Sequence, residues 1–485
     1  MPIPPLRLDV DAPELVAGFD RIREEFEVPG PHGPEAVAEA EAAAHAVLSG
    51  LAAAPDPRRR DARDLPFVTI DPPGSRDLDQ ALHLERRKRG WRVHYAIADV
   101  PAFVRPGGPL AAEVQERGVT YYLPDGRAPL HPPVLGEDAA SLLPGQERPA
   151  VLWTIDLDAD GAVVDSSLER AVVRSRSQLT YADVQVDVDS GWAHDTLLLL
   201  AEVGTVRQAV EVERGGVSLD LPTQRVVAAD GGYRLEHEVT VPAMGWNAQI
   251  SLLTGIVAAD AMLRAGVGLL RTLPPAGDRV VATVRRTARA LGVDWPDGAS
   301  YAEVVRALDS ADPDEAALLS LAARGLRGAG YLALLPGAPP PDDPEVVQHA
   351  AVAAPYAHVT APLRRLCDRT AIEVLLALYG GDPVPDEALT QLSDLPRAMA
   401  QTTAREGGAA RAAVDLVEAL LLRPRVGEVV QATVVAAADD RSTVVIGSLA
   451  VQAAVDGAAL PLGETIDVRI DAVDPEVRSV RLSVA

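Results

Sequence analysis

The chain has 485 residues, 48% hydrophobic and 24% charged, which describes a soluble globular protein with enough apolar content for about two to four domains. Its formal charge of −25 argues, as an average, against a polyanionic partner, although local basic patches decide binding. The single cysteine, Cys367, excludes an internal disulfide and a cysteine-built zinc site, and is expected to be a small buried side chain.

Taken in chain order, residues 1–60 read as a small helical segment. The start lacks a basic region followed by an apolar run, and no apolar stretch approaches the roughly 20 residues that span a bilayer, so a cytoplasmic address is expected. In PELVAGFDRIREEFE, Leu15, Val16, Phe19, Ile22 and Phe26 recur near helical spacing, and VPGPHGP ends the run. PEAVAEAEAAAHAVLSGLAAA follows as a second helix, with Pro34 where a first helical residue is tolerated. Two successive helices are also the layout of a helix-turn-helix. No residue pattern specifies one, so packing against the main domain is the expectation.

From Leu65 the pattern changes to strands. LPFVTID, DQALHLERR and WRVHYAIADV alternate, the last two joined at Lys88-Arg89-Gly90. PAVLWTIDLDADGAVVDSSLERAVVRS continues as strand, Asp-Gly turn and strand. Beyond about residue 195 helices dominate, at 247–264, 301–308, 313–327, 363–379 and 387–422, with a proline-rich loop at 336–344. The mixture predicts an α+β domain over 61–422. Residues 423–485 read as five short strands of a small OB-type barrel. No internal repeat stands out. Basic residues are almost all arginine, with Lys88 the only lysine, and the runs at 58–60 and 86–89 read as solvated loops.

The stretch TIDPPGSRDLDQALH carries the chemistry. Asp77 and Asp79 are two apart, so on a strand they share a face, and Asp71 can return to the same spot through PPGSR. Convergent carboxylates make an oxygen-rich pocket suited to Mg²⁺ or Mn²⁺, which can polarise a phosphodiester and prepare a water for attack. The alternative is a polar turn whose aspartates cap loop amides.

In order and spacing, this stretch with HYAIADVPAFVRPGGPL, GVTYYLPDGRAPLHPPVLGEDAASLLPG, RSRSQLTYADV, SLDLPTQRVV and YAHVTAPLRRLCDR resembles the RNB catalytic domain of the ribonuclease II and R exoribonucleases, over about residues 62–422. The resemblance implies hydrolysis of single-stranded RNA from its 3′ end to nucleoside 5′-monophosphates with a divalent metal, Mg²⁺ or Mn²⁺; no obligate protein partner is evident in the sequence. It puts Asp71, Asp77 and Asp79 on the first three of four family aspartates, with Asp79 the most sensitive, and Gln80 on the fourth. An amide can ligate through its carbonyl oxygen but carries no charge, so weaker metal affinity is expected. Arg364 matches the arginine that stabilises charge on the scissile phosphate, with Arg365 beside it at the RNA. Thr360 and Pro362 can start a helix, which would set Arg364 in its first turn. Tyr122 and Tyr181 match tyrosines that hold the terminal nucleotides without reading sequence.

Three departures stand beside Gln80. Asn247 and Ala248 occupy the neighbourhood of a family glutamate pair, alanines precede Arg411 where an acid is usual, and residues 1–60 are too few for the family's cold-shock domains. These losses motivate a second reading, a catalytically weak RNA-binding or regulatory protein that kept the fold; the retention of Asp71, Asp77, Asp79 and Arg364 together argues against it.

Overall fold

A computed structural model describes residues 6–8, 13–218, 223–229, 232–238, 240–309, 312–339, 341, 343–437, 441–446, 451–456 and 459–485. Residues 219–222 of the SLDLPTQRVV block and parts of the proline-rich loop lie outside the described residues.

The centre is a seven-stranded sheet in the order Ser177–Leu179, Val68–Ile70, Gln80–Arg86, Trp91–Ala98, Glu147–Leu157, Val163–Arg174, Arg60–Asp61. Neighbours are antiparallel except at the two edges, where the short outer strands run parallel to their partners. The expected hairpin pairs Arg86 with Trp91, and Gly90 closes it at φ +91°, where a Cβ would lie 2.1 Å from the Leu157 carbonyl. Only glycine fits there.

The central strands are buried on both faces, and their alternation sorts side chains by size. Ala96, Ala98, Ala150 and Leu152 enter one core, shared with Ala36, Ala40 and Ala44 of the helix Pro34–Ala53. Val93, Tyr95, Ile97, Val151, Trp153 and Ile155 enter the other, beneath the helices Asp195–Arg214 and Pro242–Ala265. Two cores on one sheet explain how one catalytic domain grows so large. By length and hydropathy Pro242–Ala265 could cross a membrane, contrary to the sequence expectation, but Ile250, Leu253, Val257, Ala258 and Met262 are buried in the second core.

The N-terminal helices pack on the main domain. Leu15, Phe19 and Ile22 of Pro13–Glu25 meet Leu416 and Leu420 of the long helix Asp386–Leu422, whereas Ala36, Ala40 and Ala44 of Pro34–Ala53 join the first core. A strand at Leu6–Leu8 pairs with Thr223–Ala229, a contact no local pattern announced. Of the predicted helices, 363–379 begins late, at Leu366, for a reason that belongs to the site. The tail closes into a five-stranded barrel, in the order Val429–Ala437, Arg441–Ile446, Val451–Asp456, Ser479–Val484, Thr465–Asp474.

Candidate active site

The aspartate segment is not a strand. Val68–Ile70 ends before Asp71, and the next strand begins at Gln80. Leu78 is fully buried, its N–H donating to the Ser141 hydroxyl at 3.0 Å and its carbonyl accepting from Leu142 N–H at 3.0 Å. Ser141 in turn donates to the Arg76 carbonyl at 2.6 Å. The buried leucine therefore pins an irregular segment between Asp77 and Asp79, in place of the strand expected there.

Asp79 is 2% exposed. Its carboxylate accepts from the Leu363 N–H at 2.7 Å and faces the half-exposed Arg364 guanidinium at 3.3 Å. Burial drives its pKa up to about 8, against the opposing pull of Arg364. Asp71 is pushed up to about 6, by burial first, with Arg364 opposing and Asp77 adding, and one of its buried oxygens has no hydrogen-bond partner. Asp77 is drawn elsewhere: Arg127 forms an ion pair with one oxygen, and the Tyr122 hydroxyl donates to the other at 3.2 Å. Arg127 also reaches Glu137 at 2.9 Å. Burial, then Asp77, raises the Tyr122 phenol, and Tyr181 is raised by burial and by Asp71. The Asn247 amide approaches the Tyr181 hydroxyl at 3.5 Å.

Gln80 has an unforeseen job. Its side-chain amide donates to the carbonyl of Thr360, so only its own carbonyl oxygen remains to offer a cation. The backbone at 361–365 is a turn rather than the start of a helix, with both Arg364 and Arg365 N–H donating to the Ala361 carbonyl. The Asp368 carboxylate captures the Ala361 N–H at 2.7 Å and takes two bonds from Arg365, at 2.8 and 2.7 Å. These contacts consume the amides a first helical turn would leave free. Arg364 thus lies before the helix, not in it, and the Arg365 fork faces Asp368 rather than the aspartate cluster. Arg127, Asp368 and the Thr360 carbonyl were not singled out from the sequence; Arg127 lies inside a quoted motif, but its pairing with Asp77 spans 50 positions. Among the described residues, Arg411 in the helix Asp386–Leu422 makes no hydrogen bond or ion pair with the cluster.

The chemistry of the donors fits a hard divalent cation. They are carboxylates, one with an orphaned buried oxygen, and in two of them burial raises the pKa against the opposing pull of Arg364. Asp77 adds to that set only when its oxygens are shared with Arg127 and Tyr122. Among the described residues, just one trio brings metal-ligating atoms within 4.8 Å of one another, namely His358, Cys367 and Asp368. Asp368 is already saturated there by Arg365 and Ala361, and Cys367 is buried as expected, so this trio braces the arginine turn.

A sheet buried on both faces, acids and an arginine at its rim, and a closed OB-type barrel behind it define an RNB catalytic fold followed by an S1 domain. Residues 59–380 match the RNB domain model, and residues 428–485 match the RNase II-type exonuclease C-terminal S1 domain. The chain belongs to the RNB family. It is 30% identical to ribonuclease R of Escherichia coli over 344 residues, covering 67% of this chain and 41% of that relative. The chain therefore spans about two fifths of that protein's length. Among solved structures, ribonuclease R of Mycoplasma genitalium bound to ribose-methylated single-stranded RNA superposes with a TM-score of 0.81 at 18% identity, covering 98% of this chain and 78% of that one. Yeast Ssd1, a pseudonuclease, gives 0.65 at 16% identity, over 85% and 53%. These two likenesses speak to the fold.

Proposed function

We propose that the chain is a divalent-metal-dependent exoribonuclease that shortens single-stranded RNA from the 3′ end and releases nucleoside 5′-monophosphates. The observation that carries this reading is the meeting of Asp79 with Arg364 beside a buried, unpartnered Asp71 oxygen, in a chain whose homologues are RNB-family exoribonucleases. Asp71 and Asp79, with a share of Asp77 and the carbonyl oxygen of Gln80, would hold Mg²⁺ or Mn²⁺. When bound, such an ion polarises the phosphodiester and eases deprotonation of a water.

The remaining work falls to the protein. The Arg364 guanidinium, held by the 361–365 turn, meets the charge that grows on the scissile phosphate. Tyr122, 43% exposed and tied to Asp77, and Tyr181 present aromatic faces that hold terminal bases without discriminating among them. Arg365 acts through Asp368 by fixing that turn.

The second reading, an RNA-binding protein of little activity, draws on the Gln80–Thr360 bond, which spends the position of a fourth acid on structure. Yeast Ssd1 is a precedent for an RNB-like fold without nuclease activity. One assay separates the two: 3′-extended single-stranded RNA with Mg²⁺ or Mn²⁺, products resolved by length. Progressive shortening to 5′-monophosphates, with a circular RNA of the same sequence left intact, is expected. Binding without shortening in either metal selects the second reading, and cutting of the circle rejects an exonuclease.

A further inference from the structure

The helix Asp278–Ala290 reads DRVVATVRRTARA and exposes four arginines, Arg279, Arg285, Arg286 and Arg289. Among the described residues none of the four has an ion-pair partner; Arg286 reaches the Thr283 hydroxyl at 3.5 Å, and Arg285 lies 4.9 Å over the Trp295 ring. In the basic run at 58–60, by contrast, Arg58 pairs with Asp56, Arg59 with the buried Asp99 and Arg60 with Glu169, while in the run at 86–89 only Arg86 finds an acid among the described residues, Glu202. In a chain of 70 acidic and 45 basic residues, partners for cations are abundant, yet among the described residues this ridge is left without them. Arg285 and Arg289 stand four apart, Arg286 and Arg289 three apart, and like charges at those spacings weaken an isolated helix.

The opposite face fixes the ridge in place. Val284 and Ala288 pack with Val305, Leu318 and Leu321 in a cluster separate from the two cores that flank the aspartates. The Thr287 hydroxyl donates to the Val435 carbonyl of the barrel at 3.3 Å, and a Cβ at Gly463 of the barrel would meet Ala290 at 2.5 Å. The ridge thus stands at the junction of the S1 barrel with the catalytic domain. It borders two grooves, of about 420 and 700 Å³. The first is lined by Arg285, Arg289 and Trp295, whose indole N–H is held by the Ala299 carbonyl at 3.2 Å; Asp294 and Asp297 sit in the same lining, and Asp278 in that of the second groove.

We propose that this arginine ridge is a second docking surface for the RNA backbone, apart from the aspartate site. Guanidinium forks match phosphate oxygens bidentately, and ten residues of helix extend about 15 Å, enough for several successive phosphates. An arginine stacked on tryptophan adds a flat face on which a base can lie. RNA is favoured over an acidic protein because the ridge abuts a barrel of the RNase II-type S1 class. The proposal rests on the exoribonuclease reading for the identity of its ligand.

The test compares Asp79→Asn protein with the same protein carrying Arg279→Gln, Arg285→Gln, Arg286→Gln and Arg289→Gln. Glutamine keeps helix propensity close to that of arginine. Affinity for a 3′-extended single-stranded RNA is measured from low to moderate salt. The ridge variant is expected to bind about tenfold or more weakly at low salt, with a slope of log affinity against log salt shallower by about 2 to 3, at roughly 0.7 per lost phosphate contact. A four-lysine version should keep most of the slope, which separates lost charge from lost folding. An unchanged slope in the glutamine variant overturns the proposal, as does equal loss of affinity for polyglutamate, which would assign the ridge to an acidic protein. Failure of the exoribonuclease reading looks different. The slope change would persist, while protein with Asp79 intact would not shorten the RNA.

Discussion

Replacing Gln80 by aspartate restores the charge that the fourth position of the cluster lacks, and its consequence turns on one hydrogen bond. The Gln80 amide donates to the carbonyl of Thr360, a residue 4% exposed, while Leu363 N–H donates to Asp79 from the same turn. These two bonds clamp the segment bearing the aspartates to the turn bearing Arg364. Aspartate cannot donate when ionised, and its side chain is one methylene shorter. The Thr360 carbonyl would lose its partner, which costs about 1–3 kcal/mol for a buried acceptor. A fourth carboxylate beside Asp71 and Asp79, both already reluctant to ionise, adds repulsion in the absence of metal. Gln80→Asp is therefore expected to melt several degrees lower in EDTA, to recover part of the loss in Mg²⁺, and to turn over about tenfold more slowly as Arg364 loosens. The Mg²⁺ concentration for half-maximal rate should not fall. Melting curves in EDTA and a Mg²⁺ titration of the rate on single-stranded RNA supply the measurements. If the variant is as stable as the parent without metal and needs less Mg²⁺, the clamp is dispensable and Gln80 is merely a weakened ligand.

Asp79→Asn should abolish hydrolysis while leaving single-stranded RNA affinity within about a few fold, because its oxygen still accepts from Leu363 N–H and binding rests on other groups; parallel loss of binding and turnover would make Asp79 structural. The metal-free protein should be more stable near pH 5 than near pH 7.5. Asp71 and Asp79 rise from 3.8 in the unfolded chain to about 6 and about 8 when folded, so their contribution is complete below 3.8 and is lost as pH climbs through those values, by at most about 1.4 kcal/mol per group per pH unit. Melting in EDTA across that range checks this, and Asp79→Asn should flatten its upper part; a flat profile in the parent would refute the burial argument. Asp368→Asn leaves Arg365 without its counter-charge and should lower stability by about 3–5 kcal/mol in urea unfolding. No change there would show that the arginine turn is held by other contacts.

Much of the fold was legible because its signals are local. Alternation in WRVHYAIADV and PAVLWTIDLDAD marks strands, and the spacing of Leu15, Phe19 and Ile22 marks a helix face that the structure buries. The order of motifs singles out Asp71, Asp77, Asp79, Tyr122, Tyr181 and Arg364 as the candidate site from the sequence alone. What the sequence could not yield is how those groups are tied together. Gln80 and Thr360 are 280 positions apart, Asp79 and Leu363 are 284 apart, and no periodicity of two or three to four residues reaches so far. Only the closed structure decides that Asp77 leans on Arg127, that Arg365 turns to Asp368, and that, among the described residues, the arginines at 58–60 find acids while those at 279–289 do not. A side chain's periodicity fixes which face it occupies, whereas its charge partner is whatever the tertiary fold brings within a few ångströms of it.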